Sequence, residues 1–134
     1  MNNPVILYVE DEPRSRKVMQ MLAAYLDLDN VVMFEDSADF LARAEGLEPR
    51  PNIIFLDIHI KPCSGFDMLK LLRQSRRFDG IPVLAMTASV MNEEIQQLRT
   101  AGFNGCLAKP VDIDNFPDAL ERILAGEEIW RIVE

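Results

Sequence analysis

The sequence predicts an α/β protein in which helices cover both faces of a five-stranded parallel sheet, giving three layers. Short apolar runs recur five times along the chain, and each is followed by an amphipathic stretch. The runs are continuous rather than alternating in polarity, which is typical of strands buried on both faces of a parallel sheet. The chain has 134 residues, 49% of them hydrophobic, which suits one packed domain.

The five apolar runs are the predicted strands: Val5–Val9, Val31–Phe34, Ile53–Leu56, Ile81–Met86 and Cys106–Ala108. Parallel strands need crossover connections, and right-handed crossovers place helices on both faces of an open sheet. For five strands in a chain of this length, the expected arrangement is doubly wound with the flavodoxin-like order 2-1-3-4-5.

The stretches between the runs have the residue spacing of helices. The first carries Val18, Met21, Leu22, Tyr25 and Leu26 on one face, with Pro13 just before it. Gly102 should end the fourth helix as a left-handed cap, and Gly126 should end the fifth. The other helical markers are Ser37 to Leu47; Phe66, Leu69 and Leu72; Ile95 and Leu98; and Phe116, Leu120, Ile123 and Leu124 after Asn115 or Asp114 as N-cap.

The charge, the lengths of the apolar runs and the cysteines limit the cellular compartments and the partners that can be expected. The net charge of −8 gives an acidic surface that repels phosphate backbones, so direct binding to nucleic acid is not expected. The run Val5–Val9 is shorter than the roughly 7–15 residues of a signal-peptide core. No stretch approaches the roughly 20 apolar residues of a membrane span. Cys63 and Cys106 fit no metal spacing and are expected to be reduced thiols, so we expect a cytoplasmic protein.

Chemistry-bearing residues follow four of the predicted strands. In a doubly wound sheet, the site lies beyond the carboxyl ends of the strands. Adjacent first and third strands would bring Glu10, Asp11 and Asp57 together, and their repulsion would call for a cation such as Mg²⁺. Lys109 adds a positive charge and Thr87 a hydroxyl, so the set can hold a phosphoryl group during transfer. Taken singly, each of these residues is also common in solvated turns, caps and loops.

As a set, these residues resemble the receiver domain of bacterial two-component response regulators. The resemblance runs from Val5 to about Leu124. It is carried by Val9-Glu10-Asp11-Glu12-Pro13, by Phe55-Leu56-Asp57 with Gly65, by Met86-Thr87-Ala88 and by Lys109-Pro110. It implies a receiver domain over residues 1–125 and a tail or linker start over 126–134. The tail could fold back, begin a linker or pack in a dimer, and no output domain is expected in this chain.

The resemblance also implies a function. Asp57 would accept a phosphoryl group from a phosphohistidine of a sensor histidine kinase or a phosphotransfer protein. Mg²⁺ (or Mn²⁺) would be held by Glu10, Asp11, Asp57 and the backbone carbonyl of His59. Thr87 and Lys109 would each bind a phosphoryl oxygen, and the Lys109–Pro110 peptide bond would be cis.

Phosphorylation would then switch the face formed by the fourth helix, the fifth strand and the fifth helix. That face would bind a downstream protein target, and it could also form a homodimer. The chain would dephosphorylate itself, acting as a signalling domain rather than as an enzyme on an external substrate.

Two positions depart from the family pattern, and two others are positions at which the family varies. Cys106 stands where the fifth strand usually has an aromatic residue, so we expect the space behind Thr87 to be open or filled by a neighbour. Lys61 stands where proline is usual, and Pro62 follows it, so the loop after Asp57 could take a different path. His59 and Ser89 occupy the two variable positions beside the phosphoryl group and are expected to modulate its uptake and hydrolysis.

Three other functions compete with the phosphoaccepting receiver. A degenerate receiver would bind partners without phosphorylation, but it would not need the whole acidic, hydroxyl and lysine set. A Mg²⁺-dependent phosphatase would use Asp57 as nucleophile, yet it would usually carry a second acid where His59 stands. A flavodoxin would need a phosphate loop after the first strand, where Glu10-Asp11-Glu12 would repel the phosphate.

Overall fold

The computed structural model describes residues 3–89 and 91–130, which form alternating strands and helices. The strands are β1 (Ile6–Val9), β2 (Val31–Phe34), β3 (Ile53–Asp57), β4 (Val83–Thr87), β5 (Gly105–Ala108) and β6 (Ile129–Trp130). The helices are α1 (Pro13–Tyr25), α2 (Phe40–Glu45), α3 (Gly65–Arg73), α4 (Asn92–Ala101) and α5 (Phe116–Leu124), with a 3₁₀ turn at Arg76–Phe78.

The described strands form one parallel sheet of six strands rather than five, in the order β2-β1-β3-β4-β5-β6. The order of the first five strands is confirmed, and the strand count is corrected. β6 was missed because it spans only Ile129 and Trp130, too short to stand out as an apolar run. It lies parallel to the outer edge of β5, with Gly105 opposite Ile129 and Cys106 opposite Trp130.

Two apolar clusters separated by the sheet make up the core, which confirms the three-layer, doubly wound arrangement. Successive strand residues point to opposite faces, so Ile6 and Tyr8 belong to one cluster and Leu7 and Val9 to the other. The first cluster is closed by α1 and α5, and the second by α2, α3 and α4. Burial on both faces explains why the strand segments lack polar alternation.

The helix boundaries agree with the prediction at three places. Gly102 adopts a left-handed φ of 105° at the end of α4, Gly126 adopts a φ of 100° just after α5, and Pro13 lies in the first turn of α1. Asn115 precedes α5 but makes no side-chain capping bond. α2 is shorter than the predicted stretch, because the left-handed Asp39 directly precedes its first residue.

The predicted apolar face of α1 is partly wrong. Met21 and Tyr25 are 64% and 73% exposed, whereas Met19, Leu22 and Ala23 are buried. These three are also spaced i, i+3 and i+4, so two overlapping apolar stripes exist on this helix and only one can face the sheet.

Close backbone contact holds β6 against β5. A Cβ atom added at Gly105 would meet the backbone of Ile129, with the Ile129 nitrogen 3.2 Å away. The Arg99 guanidinium of α4 lies 4.7 Å from the centre of the Trp130 ring, and Trp130 packs against the cluster that contains Cys106. Cys106 itself is fully buried. Trp130 therefore packs against the same apolar cluster in which Cys106 is buried, and the expectation about the space behind Thr87 stays a prediction.

We expect Gly105→Ala to push β6 away from β5, because the new methyl group has no room against the Ile129 backbone. Trp130 is the sole tryptophan of the chain, so its emission should shift to longer wavelength as the ring gains water. Gly46→Ala is the matched control, since a Cβ there would meet only ordinary contacts at 3.5 Å. Emission spectra that superimpose for Gly105→Ala and wild type would contradict this packing.

Candidate functional site

The parallel sheet brings the carboxyl ends of β1, β3, β4 and β5 to the same edge. Val9 pairs with Leu56, so Glu10 and Asp57 follow at the same level of neighbouring strands. Thr87 ends β4 opposite Ala108, and Lys109 comes directly after. The residues that the sequence predicts for the site therefore end adjacent strands.

Three carboxylates form an acidic cluster at this edge. One oxygen each from Glu10, Asp11 and Asp57 lies within 4.8 Å of the others. Glu10 is fully buried and Asp57 is 4% exposed, whereas Asp11 is open to solvent. Burial raises the pKa of Glu10 most, the negative charge of Asp57 raises it further, and Lys109 opposes both. The net shift of the Glu10 pKa is upward, so Lys109 offsets only part of the cost of burying these neighbouring charges.

Lys109 supplies a positive charge in direct contact with this cluster. Its Nζ lies 3.0 Å from Oε1 of Glu10 and 3.7 Å from Oδ1 of Asp57, and its side chain is only 15% exposed. The backbone N–H of Lys109 donates to the carbonyl of Thr87, which fixes the start of the chain after β5. The Lys109–Pro110 peptide bond is cis, as the resemblance implies. The lysine is thus held between two acids and closer to Glu10.

Thr87 is the last residue of β4, and Ser89 lies in the segment after it. Thr87 is fully buried, and its Oγ1 accepts a 3.1 Å hydrogen bond from the backbone N–H of Ser89. A hydroxyl that accepts one bond still has its own proton to donate. Ser89 is half-buried, and its expected influence on access to the phosphoryl group stays a prediction.

The loop after Asp57 is fastened at several points. The backbone N–H of His59 donates to Asp57 Oδ1 at 3.1 Å, while the His59 side chain is exposed. Cys63 N–H donates to the Oγ of the buried Ser37 at 2.7 Å. Gly65 packs so tightly that an added Cβ would lie 2.9 Å from the Ile58 side chain. These contacts set the path of the loop despite the displaced proline, and the Lys61–Pro62 peptide bond is cis.

Sequence reasoning missed the part that Tyr8 plays at this edge. Its hydroxyl donates to Oε1 of Glu10 at 2.9 Å, inside the protein. Burial raises the pKa of Tyr8, and the nearby Glu10 charge raises it further, so the phenol keeps its proton as a donor. The available signal was a hydroxyl two residues before Glu10 in an otherwise apolar strand, since residues i and i+2 share a face.

Comparison with known proteins gives one consistent picture. The family model described as "Response regulator receiver domain" matches residues 6–121. A nitrate/nitrite response regulator homologue of Haemophilus influenzae is 33% identical over 130 residues, covering 92% of this chain and 58% of that protein. The sensor histidine kinase AruS of Pseudomonas aeruginosa is 31% identical over 122 residues, covering 88% of this chain and 12% of that protein. The chain thus spans less than two thirds of the length of these relatives.

Solved structures share the fold. The chemotaxis response regulator CheY4 of Vibrio cholerae has a TM-score of 0.79 at 23% identity, covering 90% of this chain and 98% of that one. The receiver domain of a sensor histidine kinase from Pseudomonas aeruginosa has a TM-score of 0.80 at 24% identity, covering 92% and 99%, and it was solved with magnesium in its active-site cleft. Among residues 3–89 and 91–130, no helix is long and apolar enough to cross a membrane.

Proposed function

The chain belongs to the response regulator receiver domain family, and on that basis we propose that it is a switch phosphorylated on Asp57. The donor would be a phosphohistidine of a sensor histidine kinase or of a histidine phosphotransfer protein. The observation that carries this proposal is the convergence of Glu10, Asp11 and Asp57 with Lys109 at one sheet edge. Phosphoryl transfer depends mainly on such positioning and charge neutralisation.

The donor set fits a small hard cation. Mg²⁺ prefers oxygen ligands and is usually held by one or two carboxylates together with water and a phosphate oxygen. Glu10, Asp11 and Asp57, with the backbone carbonyl of His59, would hold Mg²⁺ or Mn²⁺, with Glu10 acting directly or through water. The bound cation would neutralise the carboxylates and draw charge from the phosphoryl oxygens.

Asp57 would act as the nucleophile. One of its carboxylate oxygens attacks phosphorus, the P–N bond to the donor imidazole breaks, and the electron pair stays on that nitrogen, which then takes up a proton. The product is an acyl phosphate on Asp57 and a free histidine on the donor. The His59 N–H and Lys109 both lie against Oδ1 of Asp57, so the carboxylate is already oriented.

Thr87 and Lys109 would recognise the transferred group. The Thr87 hydroxyl can donate to one phosphoryl oxygen, and the Lys109 ammonium can pair with another. Because Thr87 leads towards α4, its movement would bias the face of α4, β5 and α5. β6 borders that face on β5, so a downstream partner or a second copy docking there would also meet β6. The proposed receiver spans residues 1–125, and β6 in the tail 126–134 packs against it.

The test is phosphoryl uptake from a small acyl phosphate donor with and without Mg²⁺. We expect the wild-type chain to gain one phosphate by intact mass spectrometry, in an adduct stable to acid and labile to base. No adduct under conditions that phosphorylate a control receiver would overturn the proposal.

His59 gives a further prediction about the lifetime of the adduct. Its exposed imidazole lies two residues after Asp57 and can orient an attacking water. We therefore expect His59→Ala to lengthen the half-life of the phosphorylated chain roughly threefold to tenfold, less than the roughly 100-fold or more of a full general base, because an exposed imidazole would only help to orient the water. The half-life is followed after the donor is removed, with Lys70→Ala on the exposed surface of α3 as control. Equal half-lives for His59→Ala and wild type would contradict this role.

A further inference from the structure

Glu10 is held by donors on both of its carboxylate oxygens. Oε1 accepts from the Tyr8 hydroxyl at 2.9 Å and from Lys109 Nζ at 3.0 Å. Oε2 accepts from the backbone N–H of Glu12 at 3.2 Å. With two donors already on Oε1, Oε2 is the oxygen with more capacity left for a cation or for water bound to it.

The two donors to Oε1 of Glu10 differ in how far their side chains can move. Lys109 has a long side chain and two acidic neighbours, Glu10 at 3.0 Å and Asp57 at 3.7 Å. Tyr8 is only 1% exposed, and its ring is packed in the apolar cluster closed by α1 and α5. The phenol therefore has a fixed position set by β1, whereas the ammonium can move between acids.

We infer that Tyr8 is a positioning residue that holds Glu10 in place for the cation and frees Lys109 to pair with the phosphoryl group on Asp57. This inference rests on the proposed function. A phosphoryl group adds negative charge on the Asp57 side, and Lys109 follows that charge. Oε1 of Glu10 then keeps one donor, the Tyr8 hydroxyl.

Without the Tyr8 hydroxyl, the Glu10 carboxylate would depend on Lys109 alone for a side-chain hydrogen bond. Glu10 is fully buried, and a buried carboxylate oxygen that loses its hydrogen-bond donors is strongly destabilised. Without the phenol, Oε1 would lose its last side-chain donor each time Lys109 moved towards Asp57. Lys109 could then bind the phosphoryl group only by leaving the buried Glu10 carboxylate unpaired.

The chain offers a clean pair of variants to test this role. Tyr8→Phe removes the hydroxyl but keeps the ring that packs in the core, while Tyr25→Phe removes the hydroxyl of an exposed tyrosine on α1. The probe is Mg²⁺ alone, titrated into the unphosphorylated full chain by calorimetry. Thermal unfolding of each variant checks that it is folded.

We expect Tyr8→Phe to weaken Mg²⁺ binding about threefold when Lys109 is present, because Oε1 still has one donor. In the Lys109→Ala background, the same change should weaken binding about tenfold, because no side-chain donor then remains on Oε1. Tyr25→Phe should bind like its parent in both backgrounds. A tyrosine with only a packing role would give equal factors in the two backgrounds.

Two outcomes would overturn the inference about Tyr8. The first is a Mg²⁺ dissociation constant unchanged by Tyr8→Phe, and the second is an equal effect in the two backgrounds. Either result, together with normal uptake of phosphate by the wild type, leaves the proposed function standing. A wild-type chain that neither binds Mg²⁺ nor takes up phosphate would overturn both.

Discussion

Asp57→Asn should abolish phosphoryl uptake, lowering the incorporated phosphate from about one per chain to background. An amide lacks the anionic oxygen that attacks phosphorus, so the loss should be complete rather than partial. The measurement is intact mass after incubation with donor and Mg²⁺. Asp79→Asn is the matched control, because Asp79 is exposed in the segment after the 3₁₀ turn, and it should take up phosphate like wild type.

The same substitution should leave the fold intact. Asp57 is one of two buried acids in a cluster whose charges repel, and Lys109 is closer to Glu10 than to Asp57. Removing one of these charges should therefore raise the free energy of unfolding by about 1 kcal/mol when it is measured in the absence of divalent cations. Persistent uptake by Asp57→Asn, in a protein that unfolds normally, would place the acceptor elsewhere.

Removal of the divalent cation should have the second-largest effect on phosphoryl uptake. Chelation of divalent cations should slow phosphoryl uptake by the wild type on the order of 100-fold or more, because the clustered carboxylates then repel the incoming phosphoryl group. Asp11→Asn should have the same direction of effect and should weaken Mg²⁺ binding at least about tenfold, since Asp11 is the solvent-facing member of the cluster.

Thermal unfolding provides the readout for this second prediction. A ligand that binds only the folded state raises stability with its concentration, so Mg²⁺ should raise the midpoint of the wild type steadily. The midpoint of Asp11→Asn should respond only at much higher Mg²⁺. Asp29→Asn, on the loop before β2, is a control that should respond like wild type. Indistinguishable Mg²⁺ responses for Asp11→Asn and wild type would rule out Asp11 as a ligand.

Most of the fold could be predicted because strands buried on both faces appear as continuous apolar runs, and right-handed crossovers restrict the order of five parallel strands. Continuous runs marked the five longer strands, and the acids after β1 and β3 marked the site edge. The sixth strand escaped because its recognition depends on a tertiary contact, the close approach of Ile129 to Gly105. No local pattern in two residues carries that information.

The finer geometry of the site depends on distances between side chains that the sequence does not encode locally. Lys109 could have paired with either acid, and only the packed structure places it nearer to Glu10. In the sequence Tyr8 is an ordinary strand residue, and only the folded chain brings its hydroxyl into hydrogen-bond contact with Glu10. The orientation of α1 likewise depended on which of two apolar stripes docks on the sheet.

Phosphorylation of Asp57 can be tested directly by locating the phosphate within the phosphorylated wild-type chain. Borohydride reduces an acyl phosphate on aspartate to homoserine, which peptide mass spectrometry can assign to a single position. We expect conversion at residue 57 alone, and only in samples treated with donor and Mg²⁺. Conversion at another acid such as Asp11, or a phosphate retained on a side chain other than a carboxylate, would contradict it.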